Sequence, residues 1–163
     1  IEGAEVNRTW YTIFEDEMCD FPAGWWTYNY GYTGSYWDMY YVDGRCAAQP
    51  NTYSDNMLTY MRINVDLTGA IDGRMAFKWR SDTESYYDYL VYEYSCDGGL
   101  IWRTGYGHRL SGYWNGTWYW NNVNLRKCAG YPDVTLSIGF MTDGSVTYPL
   151  APAIDYVRVE KYQ

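Results

Sequence analysis

Short runs of alternating apolar and polar residues recur along the chain, and they constrain its fold more than any other feature. The run 134–141 places four apolar residues on one face of a strand, since side chains alternate across a pleated sheet. The run 57–67 likewise places Leu58, Tyr60 and Arg62 on one face. Gly, Asp or Pro separates such runs, and no long segment shows a sustained helical stripe. The sequence therefore predicts an all-β fold, an antiparallel β-sandwich.

Two further segments refine this prediction. Residues 86–96 are rich in aromatic and branched side chains, which favour strands, and Asp97-Gly98-Gly99 can supply the positive φ angles of a tight turn. Residues 100–102 are then predicted to return as the second strand of a hairpin. The closing run 153–159 is apolar enough to lie inside a sheet rather than at its edge. A central last strand favours a jelly-roll topology.

The length of 163 residues predicts one domain with one core. We assign that domain to residues 14–163. The polar segment 1–13 is predicted to be a leader, either loose or donated as a strand to the sheet edge of a neighbouring molecule. The net charge of −8 makes nucleic acid an unsuitable partner, because phosphate binding needs a basic face. No apolar run is long enough to predict a membrane span.

The chain has four cysteines, an even number, and three pairings are open to them. Nearest-neighbour pairing is the most economical and would join Cys19 to Cys46 and Cys96 to Cys128. Each bond would close a loop of roughly 30 residues and contribute about 3–4 kcal/mol in the loop-entropy model. Linkage between molecules in an assembly is the alternative.

Two glycosylation sequons accompany these cysteines, at Asn7 and at Asn115. Each sequon alone is a weak signal, because the three-residue pattern arises easily by chance. Together with paired cysteines, the two sequons predict an extracellular or cell-surface protein.

The aromatic content is the main functional clue, with 21 Tyr and 9 Trp against only 4 Phe. One core cannot hide so many large side chains, so some are expected at contacts or on the surface. They could stack on sugar rings or anchor a protein interface, and others will simply pack over loops. The candidates for such contacts are Trp25, Trp26, Tyr30, Trp37, Trp114 and Trp118.

Catalytic signals are weak. The zinc-peptidase motif HExxH is absent, and His108, the only histidine, lies in a glycine-rich stretch with no supporting pattern. Acidic residues are numerous enough for a glycosidase pair, but surface acids are common in an acidic protein. We therefore predict a module that is not an enzyme.

Several short motifs, in this order and spacing, resemble a known family. They are Phe14-Glu15-Asp16, Met75-Ala76-Phe77-Lys78-Trp79, Ser95-Cys96-Asp97-Gly98-Gly99, Thr142-Asp143-Gly144 and Ile154-Asp155-Tyr156-Val157. Together they resemble the MAM-like β-sandwich domain of secreted metallopeptidases of the immune inhibitor A type, and the related jelly-roll modules of cleaved adhesins. The resemblance covers roughly residues 14 to 160. It implies a non-catalytic module.

The resemblance also implies a structural calcium site, since such modules bring an acid after the first strand close to one in the last strand. Carried over to this chain, these acids are Glu15 and Asp155. Asp88 is a third candidate, because it is in phase with Leu90 and is predicted to point inward. A buried carboxylate needs a cation, an arginine or several hydrogen-bond donors. Pairing with an arginine or with backbone donors is therefore the alternative for Asp88.

We interpret the chain as a secreted, non-catalytic module that works through its surfaces. The main hypothesis is a structural subunit of an extracellular filament, tube or surface assembly, self-associating through its aromatic surfaces, because the aromatic residues occupy distant stretches of the chain. The alternative is a carbohydrate-binding or adhesin module that binds glycans. A third hypothesis is an accessory domain of a secreted peptidase.

Overall fold

The computed structural model of the protein describes residues 7–30, 34–103, 109–112, 116–145, 148 and 150–163. This part of the chain forms eleven strands and one short 3-10 helix, Arg126–Cys128. The strands are β1 (Trp10–Asp16), β2 (Trp26–Asn29), β3 (Trp37–Val42), β4 (Arg45–Pro50), β5 (Leu58–Val65), β6 (Asp72–Arg80), β7 (Tyr89–Ser95), β8 (Arg109–Leu110), β9 (Tyr119–Asn124), β10 (Val134–Met141) and β11 (Ala153–Tyr162). None of the helices in these ranges is long and apolar enough to span a membrane.

The strands form two antiparallel sheets. The six-stranded sheet has the order β3-β4-β11-β6-β9, and β1 pairs with the later part of β11. The five-stranded sheet has the order β2-β5-β10-β7-β8. This arrangement confirms the predicted antiparallel β-sandwich with jelly-roll topology. The last strand is central, as its apolar sequence predicts.

The core lies between the two sheets and follows the predicted alternation. The inward face of β10 is Val134, Leu136, Ile138 and Phe140, each at most 1% exposed. The rings of Phe77 in β6 and Tyr92 in β7 meet edge to face across the sandwich, with their centroids 5.5 Å apart. The core therefore fixes which face of each strand remains outward.

The sequence predicts loops at 19–34, which is rich in Gly, Pro and aromatic residues, and at 45–55, but each segment contains a strand. Residues 45–55 contain β4, which pairs with β3 through a tight turn at Asp43 and Gly44, both with positive φ. Residues 19–34 contain β2, an edge strand along β5. Neither strand is evident from the sequence, because short strands that contain or adjoin Pro, Gly and Cys show little alternation of their own.

The predicted return strand at 100–102 is wrong. Leu100 and Ile101 are exposed, and the chain rejoins β7 only at an isolated bridge between Tyr94 and Arg103. The side chain of Asp97 accepts a hydrogen bond from the Ile101 amide at 2.9 Å. This bond holds the segment in a wide turn instead of a tight hairpin.

The predicted division between a leader and a domain falls within β1, whose residues 10–16 pair with β11 of the same chain. Residues 1–6 lie outside the described residues. The donated-strand hypothesis for the leader therefore remains a prediction for the segment that precedes β1.

Two disulfides are present, Cys19–Cys46 and Cys96–Cys128, as nearest-neighbour pairing predicts. Cys19–Cys46 joins the segment after β1 to β4 in the six-stranded sheet. Cys96–Cys128 joins the end of β7 in the five-stranded sheet to the 3-10 helix that follows β9. The second bond therefore ties the two layers of the sandwich together.

Candidate functional site

The outward face of the five-stranded sheet carries a cluster of aromatic rings around one arginine. We call this cluster the aromatic platform; it comprises Trp26, Tyr28, Tyr30, Tyr60 and Trp102, with Arg62 at its centre. Because successive side chains of a strand point to opposite faces, Tyr60 and Arg62 in β5 point outward while Met61 and Ile63 are buried. Alternation within β5 thus produces both the core and the platform.

Strand register places the platform residues side by side. One row across the sheet runs Tyr28, Tyr60, Gly139, Val91 and Arg109, each directly opposite the next. Directly opposed side chains on one face are close enough to contact one another. The register therefore builds one continuous outward surface from five separate strands.

A second row lies two residues along the strands. It runs Trp26, Arg62, Ser137 and Glu93, again directly opposed. The two rows bring polar and charged groups beside the aromatic rings, as in sites where apolar surfaces bind and a few polar groups orient the ligand.

Gly139 in the central strand β10 lets the ring of Tyr60 lie against the sheet. A Cβ atom at residue 139 would clash with the Tyr60 ring and would lie 3.1 Å from Cγ2 of Val91. Because residue 139 has no side chain, the Tyr60 ring packs against the sheet and forms the base of the platform.

We expect Gly139→Ala to displace the Tyr60 ring from its position against the sheet. The extra methyl group should lower the free energy of unfolding by about 1–3 kcal/mol, the usual effect of overpacking. Urea denaturation measures that loss. Gly144→Ala is the comparison for replacing a glycine without a clash, since its backbone has no positive φ and a Cβ atom added there would meet only Asn56 Oδ1, at an ordinary 3.6 Å. A Gly139→Ala variant as stable as the wild type would contradict this role.

Arg62 is the anchor of the platform. Its guanidinium carbon lies 4.5 Å from the ring centroid of Trp102, 4.6 Å from that of Tyr60 and 5.5 Å from that of Tyr28. Cations attract the negative faces of aromatic rings, and Trp binds them best. A single buried cation therefore holds three rings in fixed positions.

Two polar groups complete the environment of Arg62. Its Nε donates a hydrogen bond to Ser137 Oγ at 3.1 Å, and its Nη2 lies 3.7 Å from Oε1 of Glu93. Burial raises the pKa of Glu93 above its ordinary value, while the charge of Arg62 lowers it. Burial also raises the pKa of Tyr60 to about 12, so this phenol stays neutral and can donate a hydrogen bond.

The exposed part of the platform is made by the β2 edge of the sheet. Tyr28 and Tyr30 are 45% and 59% exposed, and their centroids are 4.4 Å apart at an interplanar angle of 68°. Tyr30 in turn meets Tyr60 edge to face at 5.8 Å. Since neighbouring rings are steeply inclined to one another, they form an uneven surface that suits a curved ligand better than a flat one.

The structure divides the aromatic residues that the sequence predicts as contact residues. Trp26 and Tyr30 are exposed on the platform, so their role as contact residues stays a prediction. Trp25 and Trp37 are only 7% and 2% exposed, so their prediction as contact residues is wrong. Each reaches a polar partner from within the core, Asp16 Oδ2 at 2.9 Å and the Thr59 carbonyl at 3.1 Å respectively.

Trp118 also has a structural role. Its indole donates to Asp43 Oδ2 at 2.9 Å, and the Arg45 guanidinium lies 5.0 Å from its ring centroid. Trp114 and the sequon residue Asn115 lie outside the described residues, whereas Asn7 is exposed. The platform residues missing from the prediction are Tyr28, Tyr60, Arg62 and Trp102. For Tyr60 and Arg62, the alternation of β5 places both side chains on the outward face, and it could have indicated them.

The three predicted calcium ligands do not meet, so the predicted site is wrong as a set. Glu15 accepts a hydrogen bond from the Tyr156 hydroxyl, and Asp155 pairs with Arg45 at 2.8 Å. Both lie on the six-stranded sheet, whereas Asp88 precedes β7 of the other sheet. Each of the two acids on the six-stranded sheet therefore has its own protein partner, and neither is directed towards Asp88.

Asp88 instead lies in a cluster with Glu84 and Asp143, the one group of three or more such side chains among the described residues that is close enough together to hold a metal ion. One oxygen of each carboxylate lies within 4.8 Å of the others. Asp88 is fully buried and accepts hydrogen bonds from the Tyr53 hydroxyl and, at 3.0 Å, from the Asp143 amide. Burial raises the pKa of Asp88, and the neighbouring acids raise it further.

Solved structures with the same fold include adhesin and carbohydrate-binding modules. The K3 cleaved adhesin domain of Lys-gingipain from Porphyromonas gingivalis matches with a TM-score of 0.61 and 14% identity, over 91% of this chain and 99% of that domain. The CBM22-1 xylan-binding domain of Paenibacillus barcinonensis Xyn10C gives 0.59 and 9% identity, over 96% and 97%. The module TmCBM61, solved with β-1,4-galactotriose, gives 0.52 and 11% identity, over 86% of each chain.

At these identities, the matches establish the fold alone. They support the predicted resemblance to cleaved-adhesin modules, whereas the resemblance to immune inhibitor A modules stays a prediction. No protein-family model matches the sequence, and no curated protein matches it.

Proposed function

We propose that this chain is a non-catalytic glycan-binding module of the adhesin or carbohydrate-binding type, acting outside the cell. The observation that carries the proposal is the aromatic platform, with Tyr28 and Tyr30 exposed above rings that Arg62 holds in place. The fold shared with cleaved adhesin domains and carbohydrate-binding modules supports it. The two disulfides are consistent with an extracellular location.

Binding would follow from the amphipathic character of a sugar. The C–H face of a pyranose ring is apolar, and stacking it on Tyr28 or Tyr30 removes apolar surface of both partners from water. Hydroxyl groups at the rim of the sugar would then pair with Glu93 or the Tyr60 hydroxyl. Such groups give orientation and specificity, while the rings supply most of the affinity.

We expect Tyr28→Ala to weaken glycan binding by about 30-fold, about 2 kcal/mol, as for loss of a central aromatic contact. A glycan array identifies the ligand, and calorimetry with that ligand measures the loss. Tyr41→Ala is the matched control, because Tyr41 is 74% exposed but belongs to β3 of the other sheet. Equal affinities for the two variants, or an array with no bound glycan, would refute the platform as the site.

The filament hypothesis now has less support than this alternative. Its basis is the spread of aromatic residues along the chain, and large hydrophobic side chains outside the platform, such as Tyr86, Leu100 and Ile101, are also exposed. It predicts assemblies larger than a monomer in analytical ultracentrifugation at micromolar concentration, whereas the glycan-binding proposal requires no assembly. The accessory-domain hypothesis is compatible with glycan binding and concerns the rest of the gene rather than this module.

We also propose that calcium stabilises the module at Glu84, Asp88 and Asp143. Calcium prefers six to eight oxygen ligands, and three carboxylates would supply part of that shell, with backbone carbonyls and water completing it. The chemistry of the cluster fits, since Oε2 of Glu84 is buried and has no hydrogen-bond partner among the described residues. Calcium would offset the repulsion among the three acids and would hold the segment before β7 to the end of β10.

A further inference from the structure

A pocket lies on the side of the sandwich opposite the platform. It is a pocket of about 530 Å³ on the outward face of the six-stranded sheet, between β4, β6, β9 and β11. That volume lies within the roughly 300–1,000 Å³ typical of ligand sites. Its lining includes Glu17, Arg45, Lys78, Trp120, Asp155 and Arg158. None of these residues belongs to the aromatic platform.

Lys78 lies in the middle of this pocket, between two aromatic side chains. Strand register places it directly opposite Trp120 on one side and Tyr156 on the other. Its ammonium nitrogen is 5.9 Å from the Trp120 ring centroid, and the rings of Trp120 and Tyr156 are 5.5 Å apart at 77°. Trp120 is 51% exposed, so one face of a large apolar ring remains open beside the lysine.

The charges of the pocket leave Lys78 without a counter-ion. Arg45 pairs with Asp155 at 2.8 Å, and Arg158 pairs with Glu160 at 3.2 Å. Within the described part of the chain, Lys78 has no carboxylate at ion-pair distance. Arg45 and Arg158 are thus neutralised by their partners, and Lys78 is the one cation of the lining that none of the described salt bridges includes. An ammonium group without a counter-ion in a pocket favours an anionic ligand.

We propose that this pocket binds a uronic acid unit of an acidic polysaccharide. The apolar face of the pyranose would stack on Trp120, and its carboxylate would pair with Lys78. The guanidinium of Arg45, held by Asp155 at the rim, would contact the same carboxylate or a neighbouring one along the chain. Neither the platform nor its proposed ligand is needed for this site, so each can fail without the other.

Glu17 provides a test of the sign of the ligand's charge. It is the exposed carboxylate of the lining, and none of the described salt bridges includes it. A bound uronate would be repelled by Glu17 and attracted by Lys78. Neutralising the two side chains should therefore change affinity in opposite directions, which a neutral sugar would not show.

Calorimetry with galacturonate, glucuronate and mannuronate trimers at low ionic strength tests the proposal. At least one trimer is expected to bind, at least about tenfold more weakly to Lys78→Gln and about two- to fivefold more tightly to Glu17→Gln. Tyr28→Ala should bind it as the wild type does. β-1,4-Galactotriose serves as the neutral probe, whose affinity should not respond to either charge change.

Thermal unfolding of each variant shows whether a change in binding reflects loss of the fold. The proposal is overturned if no uronate trimer binds the wild type, or if Lys78→Gln remains folded and binds as tightly as the wild type. It is also overturned if Lys78→Gln weakens the neutral trimer by the same factor, since the lysine would then act on the sugar ring and not on its charge.

Discussion

Replacing Arg62 with Met is expected to lower the free energy of unfolding by roughly 3 kcal/mol at neutral pH, because it removes one partner of a buried ion pair. Glu93 would remain in its site with no cation beside it. The rings of Tyr28, Tyr60 and Trp102 would also lose the guanidinium that they share. Glycan binding on the platform should therefore fall to an undetectable level even where the variant is folded.

The loss of stability in Arg62→Met should depend on pH in a defined direction. Burial raises the pKa of Glu93 in the folded protein above its value in the unfolded chain. A group with a raised folded pKa binds more protons in the folded state, so stability is lost as the pH rises through that pKa. Arg62 lowers the pKa of Glu93, so removal of Arg62 raises that pKa further. The pH range over which the folded protein loses stability then becomes wider. The deficit of Arg62→Met should accordingly be smaller near pH 4 than near pH 7.5, and the part due to the lost ring contacts should remain at both.

Urea denaturation at these two pH values measures the effect, and the double variant Arg62→Met with Glu93→Gln is its control. Without the unpaired carboxylate, the double variant should recover part of the lost stability at neutral pH and should show little dependence on pH. A deficit of equal size at both pH values, or no recovery in the double variant, would show that the ion pair does not stabilise the platform.

Calcium is expected to raise the free energy of unfolding by about 2.7 kcal/mol at a concentration a hundred times its dissociation constant. The cause is selective binding to the folded state, in which Glu84, Asp88 and Asp143 are brought together. Asp88→Asn should abolish this increase. Its stability without calcium should stay within about 1 kcal/mol of the wild type, because loss of a charged acceptor is partly offset by loss of repulsion.

Thermal unfolding with calcium and with a chelator measures these effects. Asp155→Asn is an informative control, since Asp155 pairs with Arg45 and belongs to the other sheet. It should keep the full response to calcium. If Asp155→Asn loses the response and Asp88→Asn keeps it, the site implied by the family resemblance is correct and the acidic cluster is not the ligand set.

The sequence predicts the sheets well wherever a strand is long and faces the core on one side only. In β5 and β10 the alternation gives both the strand and its orientation, because apolar residues at every second position can only face the interior. β4 and β2 fail this test. β4 is half-buried on both faces and contains Cys46 and Pro50, while β2 has only four residues.

The candidate sites were harder to predict than the sheets, since they depend on register between strands that are distant in sequence. Tyr28 and Tyr60 become neighbours only when β2 pairs with β5, and the sequence predicts a loop for β2. The same holds for the acidic cluster, because the Asp143 amide reaches Asp88 across 55 residues of sequence. Composition predicts an excess of aromatic surface, but it cannot separate Trp25 in the core from Trp26 on the platform.

The pairing of β1 with β11 would have a mechanical consequence for the proposed glycan-binding module. Thr9 and Gln163 exchange two backbone hydrogen bonds, so a pulling force applied at these residues acts on the end of one antiparallel pair. Such a force breaks the hydrogen bonds between the two strands one after another, beginning beside the neighbouring rings of Trp10 and Tyr162. Separation of β1 would lengthen the unfolded chain outside the sandwich at low force and leave β11 still bonded to β6. The platform, on the opposite sheet, would keep its shape during this first extension.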